Sequence, residues 1–243
     1  MEAPRAHHRT MSWFVHRRVS RRAGVVAAAG LVAGAAALAA RPDDPEVARV
    51  VDGPGPGLFV LGDSWAAGLH ADPDRALGQV AARVLRSAAR VDAISGTGYL
   101  NAAGARTYVQ RAAAAHGDEQ LVVVQGGSND VGQDLDGLAD AVRATVGHLA
   151  AGFPGATIVL LGPGPDPLPV TAVQRRVDGI IGGAAEALEV PYLSMLRQRW
   201  IPEQHADAVI DPATAHPTVQ GQEYLGIRLA AALHLVASGV LAG

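Results

Sequence analysis

The chain has 243 residues, 49% hydrophobic and 18% charged, with a formal net charge of −3. Once an amino-terminal leader is set aside, that length suits one domain around a single core. It contains no Cys, and all of its basic residues are Arg, which excludes a thiol nucleophile, a disulfide, cysteine-ligated zinc, a Walker A phosphate loop, a Schiff-base lysine and a Ser-Lys dyad.

Residues 1–22 are basic, and Arg17, Arg18, Arg21 and Arg22 stand before an uncharged Ala/Gly/Val/Leu run from Ala23 to Ala40. Charged region, apolar region and small residues such as Ala37-Leu38-Ala39 give this segment the form of an export leader. Ser20-Arg21-Arg22-Ala23-Gly24-Val25-Val26 resembles a twin-arginine signal, with Gly24 in place of the usual bulky apolar residue. The expected location is extracytoplasmic, either secreted or anchored, and membrane contact is expected only through this segment if it stays uncleaved. The leader carries six Arg against one Glu, so the remainder is more acidic than the whole chain. Such a balance does not suit nucleic acid as a partner. Residues 41–56, rich in Pro and Gly, read as a linker, and 57–243 as the folded domain.

In chain order, Leu58-Phe59-Val60-Leu61 reads as a short buried strand that delivers Gly62-Asp63-Ser64-Trp65-Ala66-Ala67-Gly68 to its carboxyl end. The span 72–89, opening on Asp72-Pro73, predicts a first crossover helix with Leu77, Val80, Val84 and Leu85 on one face. A second strand over 91–94 runs into Ser95-Gly96-Thr97-Gly98, and a short helix is expected over 107–115. A third strand, 121–125, runs into Gly126-Gly127-Ser128-Asn129-Asp130. An amphipathic helix follows over 134–151, then a fourth strand over 157–161 and a Pro/Gly-rich loop over 162–169. A helix over 170–188 and a fifth strand over 190–193 precede an irregular stretch, 197–212; a last helix spans 218–237 with Thr218 as its cap. Strand and helix alternate throughout, which predicts a parallel sheet with helices on both faces.

Three strands thus bring a hydroxyl, glycine amides and a carboxamide to one edge of the sheet, where open α/β folds keep their chemistry. His216, in Ala215-His216-Pro217-Thr218, completes a nucleophilic site. Attack on an acyl carbon places negative charge on oxygen, and fixed N–H donors around it supply roughly 3–4 kcal/mol apiece. Asn129 carries such a donor, and Gly96, lacking Cβ, lets the backbone come close; Gly98 in the same turn could take that part.

With these blocks in order, the chain resembles the SGNH hydrolases, also called GDSL esterases and lipases. The likeness covers residues 57–237, through Gly62-Asp63-Ser64 and Gly68, then Gly96, then Gly127-Ser128-Asn129-Asp130, and finally His216-Pro217. It implies a three-layer α/β/α sandwich, an α/β fold with a flavodoxin-like parallel five-stranded sheet. It also implies Ser64 as nucleophile, His216 as base, and an oxyanion hole from the amides of Ser64 and Gly96 and the side chain of Asn129. His70 and His205 are reserve candidates for the base.

The chain departs from the family at the acid, because the Asp usually found three residues before the histidine is here Ala213, and Asp211 lies five before it. Three arrangements follow: a bulged loop lets Asp211 reach Nδ1 of His216, a backbone carbonyl orients the ring, or the site is impaired. Ser64 is not in a G-x-S-x-G elbow, since Ala66 stands at the second glycine. Gly96-Thr97-Gly98 lacks the third glycine of a dinucleotide fingerprint, and no H-E-x-x-H or acidic calcium loop occurs. No metal and no cofactor are expected. The expected activity is an exported serine esterase acting on small-molecule, glycan or lipid esters with short acyl groups, with Trp65 and Tyr99 as candidate pocket residues. An acyltransferase on cell-envelope glycans, using the same site, and a non-catalytic binding module are the alternatives.

Overall fold

The computed structural model describes residues 56–239. The expected leader, 1–40, and all but the end of the expected linker lie outside the described residues. Five parallel strands form the central sheet: β1 (Leu58–Gly62), β2 (Ala89–Ala93), β3 (Leu121–Gln125), β4 (Thr157–Leu161) and β5 (Tyr192–Leu193). Their order is β2-β1-β3-β4-β5, the flavodoxin-like arrangement. Every residue of β1 and β3 is buried, which explains their nearly unbroken apolar sequence: a strand covered on both faces has no solvent side.

Alternate residues of the central strands feed two cores. Leu58, Val60, Leu121 and Val123 point to one face, where Leu77 and Ala81 of α1 (Leu77–Val84) meet Leu225, Leu229 and Leu233 of the last helix. Phe59, Leu61, Val122 and Val124 point to the other. There they meet α2 (Tyr108–Ala112), α3 (Leu138–Gly152) and α4 (Ala172–Ala187). The result is three layers, α/β/α. At the edge, β2 is only half-buried and its Arg90 pairs with Glu119 at 2.7 Å, a charged treatment that blunts an open edge.

Several element boundaries differ from the sequence expectation. The first crossover is a 3₁₀ turn, Pro73–Arg75, capped by Asp72, followed by the shorter α1. Arg86, at φ 55, takes the left-handed conformation that ends a helix, so Ala89 already belongs to β2. The strand expected over 190–193 shrinks to two residues, because Pro191 has no N–H and the amide of Val190 is committed to Ala185 O at 2.9 Å. The stretch expected to be irregular holds α5 (Ala206–Val209) and β6 (Ile210–Asp211), the latter paired antiparallel with β7 (His216–Pro217). The last helix, α6 (Val219–Ala237), begins where Thr218 accepts from Gly221 N.

Candidate active site

At the end of β1 the chain turns sharply, with Ala67 N donating to Asp63 O at 2.9 Å and Leu69 N to Ser64 O at 3.0 Å. Ser64 sits in this turn, 7% exposed, at the carboxyl edge of the sheet. The β6–β7 hairpin brings His216 to it from the far end of the chain: His216 Nε2 and Ser64 Oγ are 2.8 Å apart. The other ring nitrogen, Nδ1, meets the carbonyl of Thr214 at 2.5 Å. A carbonyl only accepts, so Nδ1 carries the proton and Nε2 is left as an acceptor for the Ser64 hydroxyl. That is the tautomer a general base needs.

Asp211 is not the group that orients the ring. It faces His216 across the hairpin ladder, yet its carboxylate accepts from Ala213 N at 2.9 Å and from Thr214 Oγ1 at 3.2 Å. A short Asp side chain before Pro212 closes its own turn, which is the commonest local use of this residue. The turn is finished by Ala215 at φ 62, whose amide donates to Asp211 O at 2.8 Å. Of the three arrangements left open by the sequence, the structure has the backbone carbonyl. No side-chain signal could have identified it, since any residue at position 214 carries one.

The second and third blocks are tied to the Ser64 turn from below. Gly96 takes φ 78, a conformation a side chain would strain. Among the described residues no hydrogen bond engages the amides of Ser64 and Gly96, whereas Gly98 N donates to Asn101 O at 2.8 Å. The amide of Gly98 is therefore committed and that of Gly96 is not. Asn129 Nδ2 donates to Thr97 O at 2.9 Å and lies 3.3 Å from Asp63 Oδ2, so in this state it links all three blocks.

Two residues that sequence reasoning passed over hold this edge together. Asp130 accepts from the amides of Tyr99, Leu100 and Asn101 at 3.1, 2.8 and 3.2 Å. A Cβ on Gly98 would lie 2.5 Å from its carboxylate. Arg111, 1% exposed, donates to Gly62 O at 3.1 Å, Thr97 Oγ1 at 2.9 Å and Asp92 Oδ1 at 2.9 Å. It thereby joins the ends of β1 and β2 to the Gly96 turn. The signal in the sequence was an Arg three residues after Tyr108, on the buried face of a short helix. Asp63 is 1% exposed, and burial pushes its carboxyl up to about 7 against the opposing donation from Trp65 N at 2.9 Å.

Trp65 and Tyr99 are packing residues and do not line an open pocket. They are 4% and 1% exposed. Trp65 belongs to the core beneath α6, and Tyr99 tilts against Tyr108 with ring centroids 5.0 Å apart. Of the reserve histidines, His205 is exposed on the Glu203–His205 turn and makes no contact with Ser64. His70, also exposed, stands edge-on to His216. Burial raises the carboxyl of Asp166, half-buried in the loop after β4. Among the described residues no group of three or more His, Asp or Glu is placed to hold a metal, and no helix is long and apolar enough to cross a membrane.

Residues 60–224 match the family pattern of the GDSL-like lipase/acylhydrolase family. The chain belongs to that family. A GDSL lipase of Mycobacterium tuberculosis is 27% identical to this family member in a 186-residue alignment that covers 71% of this chain and 79% of the relative. Among solved structures, a carbohydrate esterase family 2 enzyme of Myceliophthora fergusii superposes with a TM-score of 0.60 at 21% identity, covering 77% of this chain and 68% of that one. A carbohydrate acetylesterase of Sinorhizobium meliloti gives 0.58 at 16% identity, covering 74% and 99%. A salicylyl-acyltransferase from a tetracycline biosynthetic pathway gives 0.59 at 20% identity, covering 78% and 56%. At these identities the structural likeness establishes the shared fold, that of the SGNH hydrolases.

Proposed function

We propose that this GDSL-family protein is an exported serine esterase that hydrolyses short-chain carboxylic esters through an acyl-enzyme on Ser64. The observation that carries the reading is the 2.8 Å contact between His216 Nε2 and Ser64 Oγ, with Nδ1 of the same ring on a carbonyl. Ser64 Oγ attacks the acyl carbon while Nε2 takes its proton, and the tetrahedral oxyanion is received by the amides of Ser64 and Gly96 and by Asn129. For Asn129 this means exchanging its long 3.3 Å contact with Asp63 for the oxyanion. The imidazolium then protonates the leaving alcohol, and water repeats the sequence to free the acid.

The choice of a small acyl group on a polar alcohol rests on the fold neighbours, which include enzymes described as carbohydrate esterases, one of them an acetylesterase. With a sugar hydroxyl in place of water the same acyl-enzyme would make a transferase, and one fold neighbour carries that description. The export part of the proposal rests on the Arg-rich and Ala-rich start of the chain. The test is hydrolysis of p-nitrophenyl esters of increasing chain length, beside Ser64→Ala and fluorophosphonate labelling. Activity and labelling that vanish in the variant support the esterase. A wild-type protein that neither turns over any ester nor takes the label overturns it in favour of a binding module.

A further inference from the structure

The His216 ring is held by two hydrogen bonds, from Nδ1 to Thr214 O and between Nε2 and Ser64 Oγ, and the second is given up once Ser64 bonds to an acyl carbon. With no carboxylate on Nδ1, a packing contact against the ring would then keep Nε2 in place. The structure contains a group in the right place. The ring centroid of His70 lies 5.4 Å from that of His216, with the planes at 68°, the edge-to-face geometry in which aromatic rings attract.

The backbone at His70 makes this contact more than incidental. Its φ is 67, and it is the third residue of the turn that Ala71 N closes onto Gly68 O at 2.8 Å. Glycine is favoured at such a position because a Cβ there is sterically costly. His70 is exposed, so burial does not repay that cost, and among the described residues its side chain makes no hydrogen bond. The ring it meets is that of His216. A side chain retained in a left-handed turn, at the mouth of a site and against the general base, is the pattern in which local strain accompanies function.

We infer that His70 is a positioning residue: its ring packs against His216 and holds the imidazole in the orientation from which Nε2 reaches Ser64. This rests on the serine-esterase reading of the same site. Thr214 O sets the tautomer and one axis; His70 sets the rotation about it. No proton passes through His70, so a planar ring without nitrogen does the same task.

The test compares wild type with His70→Gly and His70→Phe. The readouts are the rate of Ser64 labelling by a fluorophosphonate, kcat and KM on p-nitrophenyl acetate, and the thermal midpoint. His70→Gly should lower labelling rate and kcat roughly 2–10-fold, the worth of an edge-to-face ring pair, with KM unchanged. Its thermal midpoint should stay level or rise, because Gly relieves the strained φ; a purely structural role predicts a fall. His70→Phe should return both rates to within about twofold of wild type. A His70→Gly protein with full labelling rate and kcat overturns the inference. So does a loss confined to KM, which marks a substrate contact, or a loss that Phe does not restore, which marks chemistry at the imidazole. If wild-type Ser64 takes no label, the esterase reading itself fails and the inference with it.

Discussion

Replacing Asp211 by Ala tests which group orients His216, the base of the proposed mechanism. Where a carboxylate performs that task, its neutralisation lowers kcat by about 10⁴, equivalent to about 5 kcal/mol of transition-state stabilisation. Here the Asp211 carboxylate makes two hydrogen bonds, to Ala213 N at 2.9 Å and Thr214 Oγ1 at 3.2 Å, and the ring takes Thr214 O. The variant therefore loses the closure of a half-exposed turn, about 1–2 kcal/mol of stability, and keeps the group that sets the tautomer. Some loosening of Thr214 should follow, so kcat/KM is expected to fall by less than about tenfold, near 1.4 kcal/mol. The assay is steady-state hydrolysis of p-nitrophenyl acetate beside a urea unfolding curve on the same preparation. A fall of about 10³ or more, in a protein that the unfolding curve shows to be folded, would refute the carbonyl-oriented dyad and restore Asp211 to the triad.

Asp63 gives a pH prediction of definite sign. Its folded carboxyl keeps its proton up to about 7 against 3.8 for the ordinary group, so the folded protein binds more protons through that window and stability declines as pH rises across it. The decline is at most about 4 kcal/mol and complete above the folded value. Asp63→Asn should flatten it, and denaturation at pH 5 and pH 8 giving the same slope in both proteins would contradict the assignment. Arg111→Met removes a buried guanidinium from Gly62 O, Thr97 and Asp92 and should cost about 3–5 kcal/mol; chemical denaturation showing a change under 1 kcal/mol, roughly, would oppose its role as a staple. Among the described residues Tyr99 Oη is buried without a partner, so Tyr99→Phe should be neutral or stabilising by up to about 1 kcal/mol with KM unchanged. A raised KM would return Tyr99 to the substrate pocket.

Much of the scaffold was legible because local chemistry and tertiary fate agree. The third and fourth strands, Leu121–Gln125 and Thr157–Leu161, have the bounds their apolar runs suggest, since a short β-branched run bounded by turn residues suits a strand covered on both faces. Thr218 caps the last helix through its hydroxyl, as the sequence suggests. The first crossover misled because Leu77, Val80 and Leu85 share a helical face while the extended Ala76 resets the chain before them, which apolar spacing does not report. Trp65 misled because a large aromatic beside the proposed nucleophile suits a pocket wall and a core equally well. The backbone of Gly164, with Cβ space already filled by the indole, settles it as core.

By itself the sequence determined the fold class, the chain order of the three glycine-containing blocks and the residue types gathered at one edge of the sheet. Periodicity and turn chemistry are local properties, and they are written residue by residue. The tertiary structure alone decided which acceptor meets Nδ1 of His216, that the Gly98 amide is committed to Asn101, that Arg111 is buried against the turns, and that His70 stands against His216. Each of these depends on a backbone carbonyl, a committed amide or a contact between distant segments. Such groups occur at almost every position, so only their placement in space gives them a role.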